Sequence, residues 1–235
     1  IETDSTYDAG TTTQLMWGAR SDVGCVRPHN EDSYLVQSPL FCVCDGMGGH
    51  AAGEVASSIA VETIAKTAPQ SADAARLAAS VEAANAAVIE AALNGLGKPG
   101  MGCTATCAYI ENDTLAIAHV GDSRAYLLHE GTLIRVTRDH SYVEELVDAG
   151  EITADEARVH PNRSVITRAL GSDPAMYADH FTLHIEEGDR LILCSDGLSS
   201  MIPDSDIENI ATQSSTAQIC VDNLVDAALA AGGHD

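Results

Sequence analysis

Three apolar runs in this chain end on an aspartate beside a glycine: FCVCDG at 41–46, LAIAHVGD at 115–122 and LILCSDG at 191–197. Short apolar runs bounded by turn residues read as buried strands. A strand fixes the side chain at its end, and the neighbouring glycine lets a backbone or a ligand approach closely. A lone Asp-Gly pair is an ordinary turn dipeptide; its recurrence at strand ends asks what the carboxylates do. Carboxylates held together repel, so a shared site is unfavourable unless a cation neutralises it or one side chain keeps its proton. With oxygen ligands and no clustered histidine or cysteine, magnesium or manganese is favoured over zinc.

Further strand patterns run at 14–20, 33–37, 104–110, 125–130, 133–137 and 180–185, several joined by tight turns such as Glu111-Asn112-Asp113 and Glu130-Gly131. Turns that short favour antiparallel hairpins. Helical patterns fall in blocks at 51–68, 71–93, 141–149, 204–212 and 216–230. In the second block Leu77, Val81, Ala84, Val88 and Ala91 recur at spacings of 3 and 4, with Ser71 as the predicted N-cap and Gly95 and Gly97 as the stop. Antiparallel strand groups with segregated helices predict an α+β layered domain, two packed sheets with helices outside, instead of alternating βαβ units. The polar stretch 149–171, broken by Pro161, is expected to form a surface flap.

Charge narrows the partners. A formal net charge of -23, from 35 acidic and 12 basic residues, repels nucleic-acid backbones and anionic membranes and suits cations. Cys25, Cys42, Cys44, Cys103, Cys107, Cys194 and Cys220 lie mostly in apolar runs without the paired spacing of a structural zinc site, so they read as core thiols of a reducing, cytoplasmic protein. No run approaches the roughly 18 apolar residues of a membrane span. The opening IETDSTYDAGTTT is polar and acidic, which predicts a flexible lead-in over 1–13 ahead of a single domain at 14–235.

Near the start, GCVRPHNEDS offers Arg27, Glu31 and Asp32. Asn30-Glu31-Asp32 also suits a polar turn before a strand, whereas a guanidinium such as that of Arg27 grips phosphate with two hydrogen bonds. RPHNEDS, DGMGGHAAGEVAS, GMGCTAT, HVGDSRAYLL, RDHSYVEELVDAGEIT, HPNRSVITRALG, LILCSDGL and GGHD occur in that order. On those motifs the chain resembles the metal-dependent protein phosphatases, the type 2C serine/threonine phosphatases, in their bacterial branch.

The resemblance implies a four-layer α-β-β-α sandwich, with two central antiparallel sheets flanked by helix pairs and a binuclear Mg or Mn centre at the sheet edge. It implies hydrolysis of phosphoserine and phosphothreonine by a hydroxide bridging the two ions. Carried onto matching positions, Asp45 bridges the metals, Gly46 offers its carbonyl, Asp196 and Asp235 ligate the other metal, and Glu31 and Asp32 hold bound water from the outer shell. Arg27 holds the phosphate, and Asp122 and Ser164 match positions that help bind a third metal near the flap. The implied partners are phosphorylated proteins, including a Hanks-type Ser/Thr kinase and its substrates, and the implied state is a monomer.

Three departures accompany the match. Met47 stands where eukaryotic relatives carry a histidine that protonates the leaving group, so no general acid is assigned, and His50 reads as the start of a helix. Cys103 replaces an expected threonine, and the family pattern continues past Asp235 with an asparagine and an apolar strand, so the natural chain is expected to continue for at least one more strand. The competing readings are a non-enzymatic pseudophosphatase and an acidic cation-binding protein of another fold.

Overall fold

The computed structural model describes residues 5–12, 14–49 and 51–235. Strand β4 (Leu40–Met47) alternates buried and half-buried side chains along its whole length. Period-two alternation sends Leu40, Cys42 and Cys44 into one core, while Phe41, Val43 and Asp45 face the other way. The same pleat that hides the thiols therefore presents the carboxylate.

Strand β4 pairs with β3 (Asp32–Gln37) on one side and β6 (Ala105–Glu111) on the other, and the sheet continues through β7 (Thr114–Val120) to β10 (Asp179–His184). The short β5 (Gly102–Cys103) adds to the end of β4. A second sheet has the order β11 (Arg190–Cys194), β8 (Arg124–His129), β9 (Thr132–Arg135). All these ladders are antiparallel. Helices α1 (Ala52–Thr67) and α2 (Ala74–Leu93) cover the first sheet, and α6 (Asp204–Gln213) packs against the second beside α7 (Ala217–Ala230).

Burial follows the layers. Leu77, Val81, Ala84 and Val88 of α2 are fully buried against the first sheet, as their spacing predicts. Ile192, Ile207 and Leu224 centre the cluster under α6 and α7, and Ala108, Leu115, Ile117 and Ala125 join the two sheets. The α-β-β-α sandwich expected from the motifs is the observed architecture. No helix among the described residues is long and apolar enough to cross a membrane.

Several local expectations are corrected. Residues 5–11, expected to be a flexible lead-in, form β1 (Ser5–Thr11), paired residue for residue with β2 (Met16–Asp22). Two contacts compensate for its polarity: Gly10 leaves room for the Trp17 ring, and the Arg20 guanidinium lies 5.3 Å from the centre of the Tyr7 ring. Residues 1–4, 13 and 50, His50 with them, lie outside the described residues. The N-cap of α2 is Asp73, whose carboxylate accepts from the Arg76 N–H at 3.1 Å, and not Ser71. Cys25 is exposed, whereas the other six cysteines are buried, and all seven are free thiols.

The flap has structure of its own. Helix α3 (Tyr142–Asp148) leads into it, and α4 (Ala154–Arg158) forms within it on a capping box of Thr153 and Glu156. The Tyr142 N–H donates to the Val165 carbonyl at 3.0 Å and the Thr167 N–H to the His140 carbonyl at 2.9 Å, which pins the base of the excursion.

Candidate metal centre

The carboxylates of Asp45, Asp122 and Asp196 each place an oxygen within 4.8 Å of the others. Asp45 comes from the end of β4 and Asp196 from the first residue of the short helix α5 (Asp196–Ser199), directly after β11. Asp122 lies between β7 and β8, where the chain leaves the first sheet for the second. The three Asp-Gly or Gly-Asp strand ends of the sequence thus meet at one point between the sheets.

Backbone hydrogen bonds hold Asp45 in place. Its N–H donates to Thr104 Oγ1 at 2.9 Å, and the Thr104 N–H donates back to the Asp45 carbonyl at 2.9 Å. Thr104 Oγ1 is in turn 2.7 Å from Ser123 Oγ, so the residue beside Asp122 braces the residue that anchors Asp45. Asp32 stands opposite Asp45 in the β3–β4 ladder, and its carboxylate accepts from Ser195 Oγ at 3.2 Å.

Glycine is required at 46. A Cβ there would lie 2.1 Å from the Gly53 carbonyl oxygen and 2.6 Å from that of Glu31, and the Gly46 N–H donates to that Glu31 carbonyl at 3.1 Å. The first turn of α1 therefore rests directly on β4 beside the acidic cluster. Gly48 and Gly49 then turn the chain with φ of 139° and 67° before the helix begins.

The electrostatics are those of crowded carboxylates whose nearby arginines offset only part of their charge. Burial, then the charge of Asp196 and then that of Asp139, push the Asp122 carboxyl up to about 8. Burial followed by Asp235 raises Asp32 to about 7, and burial followed by Asp32 and Asp196 raises Asp45 well above the usual carboxylate range. Asp235 is also raised, by burial and then by Asp196. One carboxylate oxygen of Asp122 and one of Asp196 are buried without any hydrogen-bond partner. Unsatisfied buried carboxylate oxygens that converge are the donor set of a hard divalent cation, so these residues fit magnesium or manganese.

The remaining predicted residues line or flank the same cleft, a cavity of about 580 Å³. Arg27 reaches into it with its guanidinium 3.2 Å from the Asp235 carboxylate and 4.0 Å from that of Glu31. Asp235 lies outside the tight triad but is seated by close approach, since a Cβ on Gly197 would come within 2.9 Å of its carbonyl oxygen. Ser164 sits on the exposed flap wall, and Met47 lines the floor. Sequence reasoning missed Thr104, Ser123, Ser195 and Asp139. Asp139 is buried and takes a bidentate pair from Arg124, with Nε to Oδ1 at 3.0 Å and Nη2 to Oδ2 at 2.7 Å. RDHS and GDSR contain these two residues, but nothing in the linear pattern pairs them.

Residues 17–235 match the family model described as Protein phosphatase 2C. The chain is 41% identical over 233 residues to the serine/threonine protein phosphatase PstP of Mycobacterium tuberculosis, covering 97% of this chain and 44% of PstP. It is 36% identical to the serine/threonine phosphatase stp of Listeria monocytogenes, covering 92% of this chain and 90% of that protein. Among solved structures, the catalytic domain of PstP in complex with two manganese ions aligns over 98% of this chain and 94% of its own, with a TM-score of 0.82 and 35% identity. The chain therefore spans less than half the length of PstP itself.

Proposed function

Because the chain belongs to the protein phosphatase 2C family, we propose that residues 14–235 form one catalytic domain, a metal-dependent phosphatase acting on phosphoserine and phosphothreonine of proteins. The observation that carries this reading is the convergence of Asp45, Asp122 and Asp196 with two orphaned carboxylate oxygens, in a cleft that also holds Arg27.

In this reading Asp45, the Gly46 carbonyl, Asp196 and Asp235 would hold two divalent ions. Glu31 and Asp32 would accept from water bound at those ions, and Asp122 with Ser164 would help to hold a third ion. Two divalent ions, when bound, lower the pKa of a water to near neutral and neutralise charge on the phosphoryl group. The chain's own residues do the rest. Arg27 aims its guanidinium at the phosphate oxygens and orients them for in-line attack, a contribution of position and of charge-assisted hydrogen bonding. Thr104 and Ser123 fix the Asp45 backbone, and Ser195 fixes Asp32, so the carboxylates meet incoming charge without rearranging. The seven thiols take no part, and six of them are buried.

The substrates in this reading are phosphorylated proteins, including a Hanks-type Ser/Thr kinase and its targets, in the cytoplasm, with the domain acting as a monomer and Mn or Mg as cofactor. The names of the bacterial relatives support phosphoprotein substrates, and the manganese complex supports the metal. Release of phosphate from p-nitrophenyl phosphate and from a phosphothreonine peptide, with and without Mn, tests it. Metal-dependent turnover of both is expected; folded protein that releases phosphate from neither overturns the reading.

A further inference from the structure

Four of the seven thiols form one patch in the first sheet. Cys42 and Cys44 of β4, Cys107 of β6 and Cys103 of β5 are buried in the core that the sheet shares with α1 and α2. Packing asks only for small apolar volume at such positions, whereas thiols add redox chemistry to it. Cys42 Sγ lies 2.8 Å from Cys107 Sγ and 3.7 Å from Cys44 Sγ. The other three thiols are elsewhere: Cys194 and Cys220 belong to the core of the second sheet, and Cys25 is exposed.

Register singles out one pair. Cys42 stands directly opposite Cys107 in the β4–β6 ladder, and the same register carried along β4 sets Asp45 opposite Thr104. The Thr104 N–H donates to the Asp45 carbonyl at 2.9 Å, so that position is hydrogen-bonded. Opposed pairs alternate along an antiparallel ladder, and three residues back Cys42 and Cys107 form a non-hydrogen-bonded pair, the kind with Cα atoms about 4.5 Å apart and side chains closest. Disulfides span Cα separations of about 4.4 to 6.8 Å, so a bond fits here with the strands in place. Cys44 follows Cys42 along the same strand at about 6.6 Å, near the upper limit, and Cys103 faces Gly46. Burial raises the Cys42 and Cys107 thiols above their ordinary value, so both are protonated at neutral pH and only a small, uncharged oxidant suits them.

We propose that Cys42 and Cys107 are a buried dithiol that hydrogen peroxide converts reversibly into a disulfide between β4 and β6. One sulfur attacks the O–O bond, gives up its proton and becomes a sulfenic acid as water leaves; the other sulfur then displaces the hydroxyl of that acid, which departs with the second thiol proton as a second water. Two electrons pass from the sulfurs to the peroxide, and an added dithiol returns them. The pleat that buries Cys42 turns Asp45 to the opposite face of β4, so the bond forms on the helix side and leaves the aspartates free. It joins residues 65 apart in the chain and so restricts the unfolded state. The expected consequence is a more stable domain with its turnover intact. This inference goes beyond the phosphatase reading and stands without it.

The test treats the folded, Mg-loaded domain with hydrogen peroxide, removes the oxidant, and maps the thiols by peptide mass spectrometry without reduction. A cross-linked peptide pair carrying Cys42 and Cys107 is expected, with two fewer thiols titrating after unfolding, and dithiothreitol should restore both. The oxidised domain should melt roughly 5 to 10 °C above the reduced one, as for a disulfide closing a long loop. Its Mn-dependent turnover of p-nitrophenyl phosphate should stay within about twofold of the reduced domain. Cys42→Ala and Cys107→Ala should each abolish the peroxide-dependent rise in Tm, and Cys44→Ala should keep it; if an alanine at either position of the pair prevents folding, the peptide map of the parent still decides. Oxidation confined to the exposed Cys25, or a cross-link through Cys44 or Cys103 in place of the Cys42–Cys107 bond, overturns the proposal. A Cys42–Cys107 bond that leaves Tm unchanged or abolishes turnover overturns it as well, because the bond would then distort the sheet. A reduced domain that turns over no substrate would overturn the phosphatase reading, while the peptide map and the Tm shift would still decide this one.

Discussion

The metal-free domain should become more stable when one of its proposed metal-site residues is removed. Asp122→Asn keeps the shape of the side chain and deletes its charge. Asp122 is 7% exposed, and its carboxyl is pushed from 3.8 up to about 8, first by burial and then by Asp196 and Asp139. A carboxyl whose folded pKa is raised stabilises fully below its unfolded pKa and loses that contribution as pH rises through the folded value. Without metal, then, the parent should weaken between about pH 4 and pH 8. At 1.36 kcal/mol per pKa unit the ceiling on the penalty at pH 8 is about 5 kcal/mol. The cluster shares protons and water reaches it, so about 2 kcal/mol is the working expectation for the gain from Asp122→Asn. For a domain of this size that corresponds to a rise in Tm of roughly 4 to 8 °C. Thermal unfolding followed by circular dichroism in EDTA, at pH 5.5 and pH 8, measures it, and the gain at pH 5.5 should be about half that at pH 8. Added Mn should then raise the Tm of the parent more than that of the variant, because ligand that binds only the folded state stabilises by mass action. A variant that in EDTA is no more stable than the parent at pH 8, or whose gain does not grow with pH, refutes the claim that these carboxylates strain the metal-free fold.

Other substitutions separate the roles. Asp45→Asn should abolish Mn-dependent turnover of p-nitrophenyl phosphate, a loss of about a thousandfold or more given the several kcal/mol at stake in such centres; Arg27→Ala should mainly raise KM, so comparable small losses in both variants would contradict the assignment. Thr104→Val leaves the Asp45 N–H and the Ser123 hydroxyl without their partner, which should cost about 1 to 3 kcal/mol in denaturant unfolding and weaken Mn binding in calorimetric titration. Gly46→Ala drives a Cβ to within 2.1 Å of the Gly53 carbonyl oxygen, so it should lower Tm markedly in EDTA and in Mn alike, a pattern that separates packing damage from ligand loss.

How much of this site a sequence reveals depends on whether a residue's role is local. Asp45, Asp122 and Asp196 were legible because each ends an apolar run beside a glycine, a pattern complete within a few residues. Thr104, Ser123 and Asp139 were not, because their roles arise from pairing across strands and loops and their residue types are ordinary there. The same division runs through the fold. The stripe of α2 was legible from its period, whereas α4 is 5 residues long, too short for periodicity to register, and β1 is polar yet pairs along its whole length with β2. Asp235 is the extreme case: its partner Arg27 is 208 residues away in the chain, and only the resemblance to a family pointed to it.

The placement of the triad also explains why a cation would matter to the whole sandwich. Asp45 belongs to the first sheet, Asp196 follows β11 of the second, and Asp122 stands on the link between β7 and β8 that joins them. Elsewhere the two sheets meet through a small cluster of mostly aliphatic side chains such as Ala108, Leu115, Ile117 and Ala125. At this edge they meet through like charges, which push the sheets apart unless protons or a cation intervene. A divalent ion bound there would convert the least favourable contact between the sheets into a bond across them. Catalytic geometry and the cohesion of this edge would then have one cause, and the electrostatic strain of the metal-free cluster is what makes the site ready for a cation.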